Sequence, residues 1–261
     1  MEKAYGKDRL TGIVYECEDF VDEEPEAAPD YPVTVFVSRE GYFKKITPQS
    51  LRMSGEQKFK EGDVLAMRCE TTNRAELLVF TNRCQVYKTR CEAFPDGKAS
   101  ALGDYLPQKL GMDEGETVVG VFLPGDYKGF LLFVYEDGKC AKVDLSAYET
   151  KSNRKKLTGA YCDKQPLKAI FLLREDAQIA LYSTEGRALI FSTAQLSPKV
   201  SRTTQGVAVL TLKKKDLLHG ARLAEDSGIQ NFSRYRTRTI PAAGALLKDE
   251  DRKEQQTAME L

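Results

Sequence analysis

The sequence predicts an all-β protein of propeller-like architecture, and three observations carry this prediction. Two runs of aliphatic, aromatic and β-branched residues joined by a polar turn occur four times along the chain. The turn positions 41, 84, 138 and 186 are separated by 43, 54 and 48 residues, so one unit recurs with a period near 50. Helical periodicity is weak in the middle of the chain. Strand-rich units of this length are typical of propeller blades, and we expect about four to five of them.

Each of the four units is predicted to be a β-hairpin. Gly41, Gly138 and Gly186 supply the positive φ that a tight turn requires, and Cys84 replaces glycine in the second unit. One aromatic residue on each first strand is predicted to be blade core rather than an exposed stacking platform, namely Phe36, Phe80, Phe133 and Tyr182. The hairpins run from Val33 to Ile46, from Leu77 to Lys88, from Phe130 to Val143 and from Gln178 to Phe191.

Four further strands are predicted between and after the hairpins. They are the apolar runs 64–69, 117–122, 167–173 and 207–212. Each of the first three ends shortly before the next hairpin, and the fourth is predicted to close the array.

The repeats divide the chain into three parts. Residues 1–31 form a lead-in with an acidic linker, residues 32–240 form the repeat domain, and residues 241–261 form a flexible or helical tail. Within the repeat domain, residues 213–240 could add a fifth, irregular blade. From Glu16 to Asp30 there are eight acidic residues and no basic ones. This run is a solvated linker, or it competes with a polyanionic ligand for a basic surface of the chain, in which case deleting residues 16–30 would tighten binding of that ligand.

Composition gives little support to catalysis or to a cofactor. The chain has one histidine, His219, and its six cysteines form no Cys-x-x-Cys pair, so we expect no zinc site, no metal and no cofactor. We found no secretory signal and no membrane-spanning run, which favours a cytoplasmic protein. The net charge is zero, with 39 basic and 39 acidic residues, but residues 139–220 hold fifteen Lys and Arg against seven Asp and Glu. The second half of the chain is therefore basic.

Three segments resemble the C-terminal domain of the A subunit of bacterial type IIA topoisomerases, gyrase and topoisomerase IV. Residues Ala4 to Val14 resemble the segment that leads into that domain, Val33 to Ile46 its first blade, and Ser201 to Val207 a motif that follows a blade hairpin. The resemblance covers roughly residues 4–212. It starts in the middle of the family's motif, which suggests that the chain is a fragment of a larger subunit.

The resemblance implies a β-pinwheel, a propeller-like disc or spiral whose blades exchange strands. It implies a non-catalytic domain that binds and bends duplex DNA and presents the transported segment to the catalytic core, because the family's catalytic tyrosine, metal-binding carboxylates and ATPase site lie outside this region. The implied partners are double-stranded DNA, the ATPase B subunit and the rest of the A subunit, in the bacterial cytoplasm with the nucleoid.

One segment departs from the gyrase pattern. In gyrase a basic, glycine-rich box with the sequence QRRGGKG follows the first hairpin. Here the corresponding stretch, residues 53–62, holds only Lys58 and Lys60, beside Glu56 and Glu61. The departure favours simple bending over directional wrapping, in an A subunit that is topoisomerase-IV-like or diverged from gyrase.

The candidate DNA contacts are the cations of the hairpins and of the loops between them. Lys45, Lys88 and Lys142 share one position, four residues after each turn residue, where the fourth unit has Ile190. The full set is Lys44, Lys45, Lys58, Lys60, Lys88, Lys139, Lys142, Arg154, Lys155, Lys156, Arg187, Lys199, Arg202, Lys213, Lys214 and Lys215. These cations could instead be a solvated surface that protects strand edges. The alternative function is therefore a propeller-like protein-interaction module without DNA binding.

Overall fold

Four antiparallel sheets of four strands each, here called blades 1 to 4, make up the computed structural model, which describes residues 29–53, 56–150, 154–248 and 250–251. Each blade contains one predicted hairpin. Most of the acidic run, the segment from Ala4 to Val14 and residues 252–261 lie outside the described residues. The described helices include none that is long and apolar enough to cross a membrane.

The bounds of the elements follow in chain order. The strands are β1 (Pro32–Ser38), β2 (Tyr42–Ile46), β3 (Leu65–Thr72), β4 (Glu76–Thr81), β5 (Gln85–Arg90), β6 (Asp104–Tyr105), β7 (Val118–Phe122), β8 (Phe130–Tyr135), β9 (Lys139–Asp144), β10 (Lys156–Thr158), β11 (Leu167–Leu173), β12 (Gln178–Ser183), β13 (Arg187–Ser192), β14 (Val207–Ala208), β15 (Leu218–Leu223) and β16 (Ala245–Leu246). The helices are α1 (Pro48–Met53), α2 (Leu106–Lys109) and α3 (Phe232–Tyr235).

All four predicted hairpins are confirmed, with their turns where the sequence placed them. Gly41, Gly138 and Gly186 have φ of 92°, 78° and 72°, and Cys84 takes the same left-handed region with φ 54°. Gly138 is also required for space, because a Cβ there would lie 2.3 Å from the carbonyl oxygen of Leu210.

Neighbouring blades exchange strands. In blade 1 the order is β3-β1-β2-β6, and the hairpin of blade 2 intervenes in sequence before β6 returns to pair with β2. In the same way β10 returns to β5 of blade 2, and β14 returns to β9 of blade 3. Each of these blades is therefore completed by chain that has already formed the next hairpin, which confirms the pinwheel arrangement.

The array closes differently from the sequence-based expectation. Of the predicted strand 207–212, only Val207–Ala208 is a strand, and it completes blade 3. The strand that pairs with β12 of blade 4 is β15, which the sequence missed because His219, Gly220 and Arg222 interrupt its apolar pattern.

One strand of each blade pairs with the first hairpin strand and carries a bulge at the same place. We call these strands, β3, β7, β11 and β15, the inner strands. Residues of β3, β7 and β11 line a common cavity of about 360 Å³, and β11 contacts β15. The register shifts leave one residue of each inner strand without a partner across the ladder, namely Ala66, Val119, Lys168 and His219.

The hairpins pack face to face, so the core is divided among the blade boundaries. Leu77 and Val79 pack toward blade 1, whereas Leu78 and Phe80 pack toward blade 3. Because successive side chains point to opposite faces and both faces are covered, the strands are continuous apolar runs. Phe80 and Phe133 meet edge to face with centroids 5.9 Å apart. Phe36, Phe80, Phe133 and Tyr182 are all buried, as predicted.

Both terminal faces of the array are covered. On blade 1, Phe36 and Ile46 pack with Leu51 of α1 and with Ala99. On blade 4, Ile190 packs under Tyr235 and its neighbours in the segment 224–251, here called the cap.

At the C-terminal end the structure differs from two sequence-based predictions. Where a flexible or helical tail was predicted from residue 241, Ala245 and Leu246 form β16, which pairs with β13. Residues 213–240 supply β15 and most of the cap, and no fifth sheet occurs among the described residues.

The buried carboxylates of Asp63, Glu116 and Asp216 precede β3, β7 and β15, and those of Asp63 and Asp216 accept hydrogen bonds from amides of the hairpin turns. Asp63 Oδ1 accepts hydrogen bonds from the amides of Glu40 (3.0 Å) and Val64 (2.9 Å). Asp216 Oδ1 accepts from the Thr184 hydroxyl (2.8 Å) and the Glu185 amide (3.0 Å). Burial acts to raise the pKa of both carboxyls, but the hydrogen bonds outweigh it and leave the pKa of each below its usual value.

We predict that Asp216→Asn lowers the free energy of unfolding at pH 7 by about 1–3 kcal/mol, because the hydrogen bonds to a charged acceptor weaken. A carboxyl with a depressed folded-state pKa stabilises the fold above its unfolded pKa of about 4, and that stabilisation is lost as the pH falls through the folded pKa. Urea unfolding of wild type and variant from pH 7 to pH 3 measures this. The difference should shrink toward pH 3, and a difference independent of pH would contradict the assignment.

Candidate nucleic-acid interface

The lysine that recurs four residues after each turn lies inside the boundary between two blades. The side chains of Lys45, Lys88 and Lys142 are only 3%, 8% and 4% exposed. Each lies on the second hairpin strand of its blade, and its ammonium group contacts segments that enter or leave the hairpin of the following blade. Lys88 also pairs with Glu76 on β4 of its own blade. We call these contacts the lysine joints.

The joint between blades 3 and 4 shows the arrangement most clearly. Lys142 Nζ lies 2.7 Å from Asp176 Oδ1 and 3.2 Å from the carbonyl oxygen of Thr193, to which it donates. The ammonium also lies 3.9 Å from the centroid of the Phe130 ring. Its hydrogen bond to Asp176, followed by one from Thr193, lowers the pKa of the Asp176 carboxyl. A buried charge is tolerated only when it is paired in this way.

The other two joints use different acceptors for the same purpose. Lys45 donates to Asn73 and pairs with Asp96 at 3.3 Å. Lys88 pairs with Glu76 at 3.1 Å and donates to the Tyr148 carbonyl (3.2 Å) and the Thr150 hydroxyl (3.1 Å).

Ile190 breaks the pattern because its blade is the last. It packs on the cap, where Tyr235 covers it, instead of reaching a following blade. Position 190 therefore differs from the other three because it lies in the last blade of the array.

Lys44 is also buried, on the outer face of blade 1. Its ammonium donates to the carbonyls of Lys58 (2.9 Å), Ala99 (3.2 Å) and Ala101 (3.0 Å). Burial lowers the pKa of this amine. Lys44 thereby fixes the loop that corresponds in sequence to the gyrase box. DNA could reach Lys44, Lys45 or Lys142 only if the protein opened, and the Lys88 ammonium is already bound by Glu76, Tyr148 and Thr150, so we leave these four out of the interface proposed below.

Four of the nine exposed candidates lie in segments that run beside the second hairpin strand. We call these segments, residues 96–98, 154–156, 199–202 and 236–238, the outer loops of blades 1 to 4. They lie on the opposite side of the hairpin from the inner strands. Outer loops 2 and 3 contain five candidates that the sequence identified, namely Arg154, Lys155, Lys156, Lys199 and Arg202.

Outer loop 2 is the most basic of the four. Arg154, Lys155 and Lys156 are all exposed. Lys156 lies 3.4 Å from Asp113 and 5.1 Å from the Tyr87 ring centroid. Beside the loop, Arg90, Arg154 and Lys155 line a cavity of about 480 Å³ that also contains Glu76 and Glu149.

Outer loop 3 presents two cations. Lys199 is exposed, while Arg202 is half-buried and donates to the carbonyl of Ala147 at 3.3 Å. Three further exposed lysines, Lys213, Lys214 and Lys215, lie in the connection from β14 to β15.

The remaining candidates are exposed or half-buried and mostly hold partners within the protein. Lys60 pairs with Glu40 at 2.7 Å and Lys139 with Asp137 at 2.6 Å. Arg187 donates to the Gly244 carbonyl at 3.1 Å. Lys58 is exposed.

Sequence reasoning missed three cations that share the outer-loop position. Lys98 lies in outer loop 1, and Arg236 and Arg238 lie in outer loop 4. Arg236 donates to Gln178 Oε1 at 2.7 Å from Nη2. The signal that could have found them is their place a few residues after the apolar end of a unit, rather than on a hairpin.

Comparison with known proteins supports the resemblance from two directions. A family model described as the DNA gyrase C-terminal domain, a β-propeller, matches residues 179–225. The A subunit of DNA topoisomerase 4 from Staphylococcus aureus is 25% identical over 223 residues, which cover 84% of this chain. Its counterpart from Staphylococcus epidermidis is 27% identical over 221 residues. The chain spans 28% of the length of each of these two relatives.

Solved structures agree on the fold. The C-terminal domain of DNA topoisomerase IV superposes with a TM-score of 0.67 at 24% identity, covering 77% of this chain and 64% of that one. The C-terminal domain of E. coli ParC superposes with a TM-score of 0.61 at 14% identity, covering 84% and 94%. The family model, the relatives and the strand exchange together show that this chain is similar to the C-terminal domains of the A subunits of DNA gyrase and topoisomerase IV and that it shares their β-pinwheel fold.

Proposed function

We propose that the chain is a non-catalytic domain that binds and bends duplex DNA along its outer loops. The observation that supports this proposal is that the cations of the hairpins and those of the outer loops differ in their exposure. The recurring hairpin lysines Lys45, Lys88 and Lys142 are paired inside the joints, whereas every outer loop keeps at least one exposed cation. Cations that recur along a curved surface fit a phosphate backbone, and they release condensed counterions when they bind it.

Recognition is expected to depend on phosphates and not on base edges. The four hairpin aromatics that might have stacked on bases are core residues. Smooth bending of a site of 20–30 base pairs costs on the order of 1–6 kcal/mol, which several phosphate contacts can offset.

We place the DNA contacts on blades 2 to 4. In blade 1, Lys44 and Lys45 are buried, Lys60 pairs with Glu40, and Asp96 stands beside Lys98 in outer loop 1. Outer loops 2, 3 and 4 carry cations with no carboxylate among their own residues. The box-equivalent loop therefore contributes little, in keeping with bending of a captured duplex over directional wrapping.

In the whole protein, this domain would present a transported duplex to the catalytic core and would work with the ATPase B subunit. The relatives that support this role are bacterial topoisomerase 4 A subunits, so the place of action would be the nucleoid in the bacterial cytoplasm.

We predict that brief acylation with an amine-reactive ester separates the two sets of lysines. Lys98, Lys155 and Lys199 should be modified in the native protein, because they are exposed. Lys44 and Lys142 should be modified only after unfolding, because their ammonium groups are enclosed. Peptide mass spectrometry measures both sets, and equally rapid modification of Lys142 in native protein would refute its burial.

The DNA-binding proposal is tested by changing Arg154, Lys155 and Lys156 together to alanine. Binding to a duplex should weaken, and the slope of log affinity against log salt should become shallower by about 2–3, since each lost phosphate contact contributes about 0.9. A gel-shift or fluorescence titration at two or more salt concentrations measures both quantities.

The matched control changes Lys109, Lys128 and Lys164 to alanine. These lysines are exposed, and replacing them removes the same number of positive charges, but none of them lies in an outer loop. Equal weakening by both triple variants would mean that binding is not localised to outer loop 2. Weak binding by the wild type without salt dependence would instead favour a protein-interaction module.

A further inference from the structure

In each lysine joint the same lysine makes two connections. Its side chain reaches the next blade, and its peptide group holds an outer loop. The Lys142 carbonyl accepts from the Lys199 amide at 2.9 Å, and the Lys45 carbonyl accepts from the Gly97 amide at 2.8 Å. In blade 2, the Lys88 amide donates to the Lys155 carbonyl at 2.8 Å. The position of an outer loop is thus tied directly to the joint beneath it.

The path of the chain strengthens this link. Outer loops 1, 2 and 3 are the segments that cross back from one blade to the previous one before forming β6, β10 and β14. Their cations therefore lie on the connection between two blades. A change in the angle between those blades would move the cations relative to those of the next loop.

The rest of each boundary is apolar, and apolar burial has little directional preference. The lysine contacts are directional. At the joint between blades 3 and 4, Lys142 and the Thr193 hydroxyl both donate to Asp176 Oδ1, at 2.7 Å and 2.6 Å. The Ala177 amide in turn donates to the Thr193 hydroxyl at 3.0 Å. This network connects β9 of blade 3 with both ends of the blade 4 hairpin.

We propose that the lysine joints are positioning elements that fix the angle between neighbouring blades and thereby set the bend that the outer loops impose on DNA. The part that concerns DNA rests on the function proposed above. The joints themselves touch no DNA. Loosening one should therefore change the shape of bound DNA without removing any of the cations that hold it.

The experiment uses Asp176→Asn, with Lys142→Met as a second variant and Glu136→Gln as the matched control. Glu136 pairs with Lys168 at 2.6 Å, but both residues belong to blade 3, so the control removes one carboxylate charge without touching a joint. Thermal melting first confirms that each variant folds.

The first readout requires no DNA. Hydrogen exchange at the amides of Ala177 and Lys199 should become about tenfold faster in Asp176→Asn and Lys142→Met, and should not change in Glu136→Gln. Unchanged exchange in both joint variants would overturn the proposal whether or not the protein binds DNA.

The second readout is energy transfer between the two ends of a short duplex at saturating protein. Asp176→Asn should lower the transfer, which reports a smaller or broader bend, while its affinity and salt slope match those of Glu136→Gln. If Asp176→Asn exchanges these amides faster but bends DNA as much as the wild type does, the joint does not set the shape of bound DNA. A wild type that does not bind DNA would refute the proposed function, and the exchange result would still decide the role of the joint.

Discussion

The structure depends most on how each hairpin packs against the next. Both faces of the middle blades are covered, so strands such as β4 and β8 must be apolar on both sides. Each of these apolar boundaries contains one lysine ammonium group, and most of its acceptors lie on segments that enter or leave the following hairpin. An unpaired buried charge costs several kcal/mol, so each boundary must keep these acceptors within reach of the ammonium group.

The sequence predicted the hairpins because their information is local. Alternative pairings are excluded when a turn residue such as Gly138 stands between two long apolar runs. The exchanged strands could not be predicted in this way. Strands β6, β10 and β14 have two or three residues each, and their partners lie on hairpins far away in sequence. Short strands carry no periodic pattern, so only the assembled fold shows where they pair.

The candidate site was predictable in part for a related reason. A lysine that recurs once per repeat looks like a row of surface charges when the chain is considered one unit at a time. Its burial depends on acceptors such as Asp176 and Asp96, which belong to the next unit. Ile190 was the informative position, because its blade is the last and its apolar side chain packs on the cap instead of reaching acceptors. Runs such as Arg154 to Lys156 were recognisable because consecutive cations are seldom buried.

Strand exchange also has a consequence for biosynthesis. No blade before the last can be completed when its own hairpin leaves the ribosome, because its fourth strand is made only after the next hairpin. Blade 1 is completed only when Asp104 and Tyr105 of β6 have been synthesised. At a translation rate of about 5–20 residues per second, this delay is several seconds. During that time the free edge of β2 could pair with another nascent chain. Folding of this protein therefore runs one repeat behind its translation.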